Sequence, residues 1–218
     1  LVCAGAMSFA DAGRTVRKRG QFMQEAGPAG EGAMAAIIGL DTDKIKEICA
    51  ETANMTNQCV QAVNFNCPGQ IVIAGATEAV HKACDRLKEA GAKRAILLPV
   101  SAPFHSTLMQ PAADRLKEVL DSVEIVDAKI PVVANVNAKP ETKADEIRSQ
   151  LVLQAASPVL WEDSVRRMMN DGVDTFVEVG PGKVLCGFIK KVDRSYAPLN
   201  VEDMESLEKS LAYLKEVR

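Results

Sequence analysis

Between residues 33 and 100 the apolar period of the chain switches repeatedly, and this alternation restricts the fold more than any other feature of the 218 residues. The run 33-AMAAIIGL-40 reads as a buried strand. The next segment, 42-TDKIKEICAET-52, spaces Ile45, Ile48 and Cys49 at helical intervals behind a Thr or Asp cap. Two strands follow, 58-QCVQAVNF-65 and 70-QIVIAG-75, with a turn at 66-NCPG-69 between them. A helix from Thr77 to Ala90 and a strand 94-RAILLPV-100 complete the order β-α-β-β-α-β. That order is the split β-α-β pattern of a ferredoxin-like subdomain, here over residues 31–100.

The flanking regions obey a different rhythm. Ser8, with Asp11 three residues on, resembles a capping box, so a helix is expected to run to about Ala26 and stop at 27-GPAG-30. Its apolar face reads Phe9, Ala12, Val16 and Met23, which turns Arg19 inward while Arg17 and Lys18 meet water. A guanidinium buried without an anion costs on the order of several kcal/mol, so an inward Arg19 asks for a partner. After residue 100, helices are expected at 109–123, 144–154, 161–172, after the turn 180-GPG-182, and at 201–217. Strands are expected at 131-PVVANV-136 and 175-TFVEV-179. Strands alternating with helices imply an α/β fold with a parallel sheet covered on both faces.

Composition removes several classes of function. The net charge of -3 comes from 26 basic and 29 acidic residues without a basic block, which argues against nucleic acid. Apolar runs such as residues 33–40 fall well short of the roughly 20 residues of a membrane span. The six cysteines contain no CxxC pair and have no histidine at ligand spacing, so no metal site is expected. They read as small buried thiols of a reducing cytoplasm. The opening LVCAGAM reads as the tail of an apolar helix rather than a signal peptide, which predicts residues ahead of Leu1.

One of the two histidines, His105, lies in 100-VSAPFHSTLM-109, where the chain leaves the small module. Such junctions favour clefts, and an imidazole there suits a general base. From spacing alone, a loop histidine held by hydrogen bonds is equally open. His81, on an exposed-looking helix, reads as a surface residue. No serine occupies a Gly-x-Ser-x-Gly elbow; Ser101 and Ser106 lie too close to His105, and Cys67 and Cys186 are alternative thiol nucleophiles set against simple packing. The turn 180-GPGK-183 lacks Walker spacing and reads as an anion-binding helix start or a tight structural turn.

Several stretches together resemble the malonyl-CoA:acyl carrier protein transacylase family. They include 1-LVCAGAMSFADA-12, 17-RKRGQFMQ-24, 64-NFNCPGQIVIAG-75, 92-AKRAILLPVSAPFHSTLMQPAADRL-116, 151-LVLQAASPVLW-161 and 177-VEVGPGKVL-185, in the family's order. The resemblance implies an α/β-hydrolase-like large domain, here residues 1–30 and 101–218, with the ferredoxin-like subdomain inserted at 31–100. It implies transfer of malonyl from coenzyme A to the phosphopantetheine thiol of acyl carrier protein, through a seryl intermediate, in cytoplasmic fatty acid biosynthesis. His105 matches the family's base, and the main-chain carbonyl of Gln154 is expected to orient it. Arg19 matches the arginine that pairs with the malonyl carboxylate. Met23 is expected to line the acyl pocket, and Phe104 to crowd a methyl branch, favouring malonyl over methylmalonyl. No cofactor or metal is implied, and the full-length protein is expected to be a monomer.

The match lacks the family's elbow serine, which would fall just before Leu1. The resemblance therefore implies that these residues alone transfer little or nothing and, without central strands, dissolve poorly. A non-catalytic relative that binds coenzyme A or carrier protein is one alternative. An acyltransferase domain of a polyketide or fatty acid synthase is another.

Overall fold

In the computed structural model, which describes residues 1–27 and 30–216, two compact units divide at Ser164/Val165. In the first, α1 (Phe9–Ala26) starts at Ser8, whose Oγ accepts from the Asp11 N–H at 3.1 Å and donates to its carboxylate at 2.6 Å. Then come β1 (Gly32–Ile38), α2 (Thr42–Thr56), β2 (Val60–Cys67), β3 (Gln70–Ala76), α3 (Thr77–Glu89) and β4 (Arg94–Leu97). Asp41 caps α2 by accepting from the N–H groups of Asp43 and Lys44. The four strands form one antiparallel sheet in the order β2-β3-β1-β4. This is the β-α-β-β-α-β module expected from the periodicity, with the split pairing of a ferredoxin-like unit.

The sheet is covered on both faces, which is why 33-AMAAIIGL-40 shows no polar alternation. Ala33, Ala35 and Ile37 of β1 point to α2 and α3, packing with Ile45, Ile48, Ile73, Val80 and Leu87. Met34 points the other way and packs with Val63, Val72, Ala74, Leu98 and Phe104. Each fully buried side chain of this size is worth about 1.5–3 kcal/mol. The free edge of β2 is closed by the segment around Val159: Phe65 N donates to Val159 O at 2.9 Å, and Val159 N to Val63 O at 2.7 Å. β2 is bulged between Ala62 and Asn64 and again between Phe65 and Cys67.

The rest of the first unit holds a 3₁₀ turn (Thr107–Met109), α4 (Gln110–Asp121), a hairpin of β5 (Val132–Ala134) with β6 (Lys139–Glu141), α5 (Ala144–Leu153) and the start of α6 (Trp161–Asn170). The second unit holds the end of α6, then β7 (Val177–Val179), α7 (Val184–Val192), β8 (Leu199–Val201) and α8 (Met204–Glu216), with β7 and β8 paired in parallel. Within it, the Phe176 and Tyr196 rings meet edge to face at 5.6 Å.

Some expectations are corrected. Phe9 and Val16 are not core residues: they are 83% and 67% exposed, while α1 buries Met23, as expected, together with Thr15. LVCAGAM is a series of turns, not helix, closed by Gly5 N to Val2 O and Ala6 N to Leu1 O. Instead of one broad parallel sheet, the described residues outside the four-stranded sheet show an antiparallel hairpin and a single parallel pair. Pro28 and Ala29 of the expected helix stop, and Val217 of the last expected helix, lie outside the described residues.

A Cβ at Gly75 would fall 2.0 Å from the Cys59 carbonyl oxygen, a backbone atom that cannot swing aside. Gly75→Ala is therefore expected to destabilise the chain by about 1–3 kcal/mol. Urea unfolding should show a lower midpoint at unchanged slope, and an unchanged midpoint would refute the close approach.

Candidate functional site

Beyond β4 the chain runs back over the sheet face that Met34 occupies, where Leu98 N donates to Met34 O at 2.9 Å. Two glycines let it lie close. A Cβ at Gly32 would sit 2.3 Å from Pro103 Cδ, and one at Gly27 would sit 2.7 Å from Ala102 Cβ. Phe104 then wedges between the Met34 cluster and a second cluster of Met23, Met109 and Ala112. Ser106 is fully buried and donates its Oγ to the Pro103 carbonyl at 2.7 Å.

Between these two anchors the backbone turns through a φ of 63° at His105. A left-handed conformation at a non-glycine residue costs about 1–2 kcal/mol and survives only where the surroundings enforce it. What it achieves is direction. The ring reaches α5's C-cap, where His105 Nδ1 lies 3.0 Å from the main-chain oxygen of Gln154. A carbonyl can only accept, so Nδ1 carries the proton and Nε2 presents its lone pair. Burial is the largest influence on the imidazole pKa and lowers it; the Gln154 backbone raises it, Arg19 lowers it and the Ser157 backbone raises it, leaving it below 6.5. A neutral, oriented imidazole is the form a general base requires.

Arg19 is half-buried on α1, as the inward spacing predicted, and Arg17 and Lys18 are exposed. It lines a cavity of about 250 Å³ walled by apolar side chains including Met7, Leu116, Leu120 and Leu151. Burial pulls the guanidinium pKa down, and among the described residues no carboxylate offsets it. A permanently charged group in that setting lacks the solvation it would have in water. Met23, one helical turn further along α1, is 4% exposed.

The structure thus brings the five expected site residues into one region. His105 touches Gln154, Arg19 acts on His105 through its charge, and Met23 and Phe104 share one apolar cluster. Other candidates separate from it. His81 is exposed on α3, and Cys67 is buried. Burial, with the neighbouring Glu178, pushes the Cys186 thiol up to about 11, which removes it as a nucleophile at neutral pH. In the turn Gly180 N donates to the Val201 carbonyl and Gly182 N to the Glu202 carboxylate, and at the helix start beyond it Leu185 N and Cys186 N donate to Glu178. That turn is structural.

The chain matches the acyl transferase domain family over residues 1–210. It is 52% identical over 216 residues to the malonyl CoA-acyl carrier protein transacylase of Bacillus subtilis (strain 168), covering 99% of this chain and 68% of that protein. The chain belongs to this family. The transacylase of the same name from Escherichia coli (strain K12) is 54% identical over 192 residues, 88% of this chain and 62% of that protein. A solved complex of a type II PKS acyl-carrier protein with its malonyl-transacylase (PlMCAT:AntF, holo) superposes with a TM-score of 0.94 at 47% identity, over 98% of this chain and 68% of that one. The chain therefore spans roughly two thirds of the transacylases it matches. The α/β class is that of the family, and among the described residues no helix is long and apolar enough to cross a membrane.

Sequence reasoning passed over two groups that touch the His105 loop, the Ser157 backbone and the Gln61 side chain. Ser157 lies within the resembling stretch 151–161 but has no side-chain chemistry that singles it out there, and Gln61 lies outside every such stretch. Only the alternation of β2, which turns the residues beside Val60 away from the core, hinted that Gln61 was available.

NMR titration of His105 checks the electrostatics directly. Its midpoint is expected below 6.5, moving up in Arg19→Met. Because the folded state binds the proton less tightly than the unfolded one, this histidine's effect on stability is fully favourable above about pH 6.5 and is lost as pH falls from there through the folded pKa. A midpoint above 6.5, or one indifferent to Arg19, would contradict the assignment.

Proposed function

We propose that this site is the base and carboxylate-binding half of a malonyl transferase acting between coenzyme A and acyl carrier protein, in fatty acid biosynthesis in the cytoplasm. The observation that carries the reading is the neutral His105, its Nδ1–H tied to the Gln154 carbonyl, beside the desolvated and unpaired Arg19. Nε2 of His105 takes the proton of an attacking hydroxyl as its oxygen bonds to the malonyl thioester carbon. The C–S bond then breaks, and the imidazolium returns the proton to the departing thiolate. The reverse sequence, with the carrier's phosphopantetheine thiol attacking, completes the transfer. Arg19 holds the free malonyl carboxylate through paired N–H donors, and Met23 and Phe104 wall the acyl chain, with Phe104 crowding a methyl branch.

Similarity to proteins named as malonyl transacylases, one solved with a carrier protein, supports the substrates. It also supports reading residues 31–100 as a subdomain inserted between 1–30 and 101–218 of an α/β-hydrolase-like domain. The hydroxyl is not assigned to any of these residues, since none of the serines sits in a Gly-x-Ser-x-Gly elbow. The 218-residue polypeptide by itself is therefore proposed to bind malonyl-CoA without forming an acyl-enzyme.

Calorimetry with malonyl-CoA and acetyl-CoA tests this reading. Malonyl-CoA should bind at least about 10-fold more tightly, the worth of one charge-assisted pair, and Arg19→Ala should abolish the preference. Intact mass should show no malonyl adduct. Equal affinity for the two thioesters would refute the role of Arg19, and a stable adduct would refute the missing nucleophile.

A further inference from the structure

We propose that Gln61 is a positioning residue for His105: its side-chain carbonyl on β2 grips Thr107 and holds the loop that aims the imidazole at Gln154. This rests on the reading of His105 as the base. Gln61 Oε1 accepts from Thr107 N at 2.9 Å and from Thr107 Oγ1 at 3.3 Å, using both lone pairs on one residue two positions after His105. Cys59 Sγ adds a weaker contact to the same hydroxyl at 3.6 Å.

The geometry of β2 gives this grip its significance. The same strand bonds the backbone of Val159 through Val63 and Phe65, so it carries at one end the segment that follows Gln154 and at the other the segment that follows His105. The bulge between Ala62 and Asn64 falls at Val63, whose carbonyl is the first of the two contacts with Val159. β2 is therefore a ruler between the two partners of the Nδ1–H···O bond, and Gln61 is its contact on the histidine side. The left-handed turn at His105 needs such a restraint, because its backbone conformation is unfavourable without one.

The energetics separate positioning from stability. Thr107 N is an orphan donor at the start of the 3₁₀ turn, and Thr107 is exposed, so water can replace Gln61 as acceptor at little cost. Water cannot replace its geometry. Loss of Gln61 should leave the fold nearly unchanged while the ring drifts from Gln154.

Long-range ¹H–¹⁵N spectra of the 218-residue chain read this directly. The unmodified chain should show His105 as the Nδ1–H tautomer with a slowly exchanging Nδ1 proton. In Gln61→Leu that proton signal should be lost and the His105 midpoint should shift upward as the ring meets water, with circular dichroism and the His81 signals unchanged. Gln61→Glu, which keeps the acceptor, should preserve the Nδ1 proton. If Gln61→Leu does not fold, Gln61→Asn, whose carbonyl stops one methylene short, must give the same loss. An Nδ1 signal indifferent to removal of the acceptor, or absent from the unmodified chain, overturns the proposal. A Gln61-dependent signal in a chain without preference for malonyl-CoA upholds the positioning role and overturns only the transferase reading.

Discussion

The hydrogen bond from His105 Nδ1 to the Gln154 carbonyl spans 49 residues of chain and decides what the imidazole can do. With the proton fixed on Nδ1, Nε2 is free to accept. With the ring largely removed from water, its pKa falls below 6.5, so the accepting form predominates at neutral pH. A freely rotating surface histidine would have neither property. The cost is a backbone in the left-handed region at a residue with a Cβ, and most of the surrounding architecture serves to enforce it.

That enforcement begins with a sheet apolar on both faces. One face packs on α2 and α3, so the module is held together by its own core. The other face is thereby left to receive Phe104 and the loop around it. Gly27 and Gly32 lower the barrier to close approach, Ser106 seals the turn from inside, and the edge of β2 holds the segment that carries Gln154. Arg19 enters from α1, where its neighbours are largely apolar and its charge depresses the histidine pKa; the proposed function gives it an anion to hold. An acidic substrate would neutralise that charge and so raise the basicity of His105 at the moment it is needed.

How far this was legible in the sequence depended on the strength of local periodicity. The β-α-β-β-α-β order stood out because helix and strand periods alternate cleanly between residues 33 and 100. β5 and β7 showed through the apolar runs around them, whereas β6 (Lys-Pro-Glu) and β8 (Leu-Asn-Val) went unseen because neither sits in such a run. Phe9 and Val16 misled because an apolar residue at helical spacing says nothing about whether a partner covers it. Arg19 was visible from spacing alone. Gln154, Phe104 and the pocket role of Met23 were reached only by family resemblance, because a main-chain carbonyl and two packing side chains leave no chemical signature, although spacing alone had placed Met23 on the apolar face of its helix. Gln61 was invisible to both, as its contact with Thr107 exists only once the sheet and the loop have met.

The most direct test of the account is malonyl transfer by a chimera in which residues 1–218 replace the matching part of the Bacillus subtilis transacylase, of which this chain covers 68%. The account predicts that the chimera loads malonyl onto acyl carrier protein and that His105→Ala lowers its kcat by about 10²–10⁴-fold, the usual worth of a positioned general base. A folded chimera that transfers malonyl equally well without His105 would contradict it.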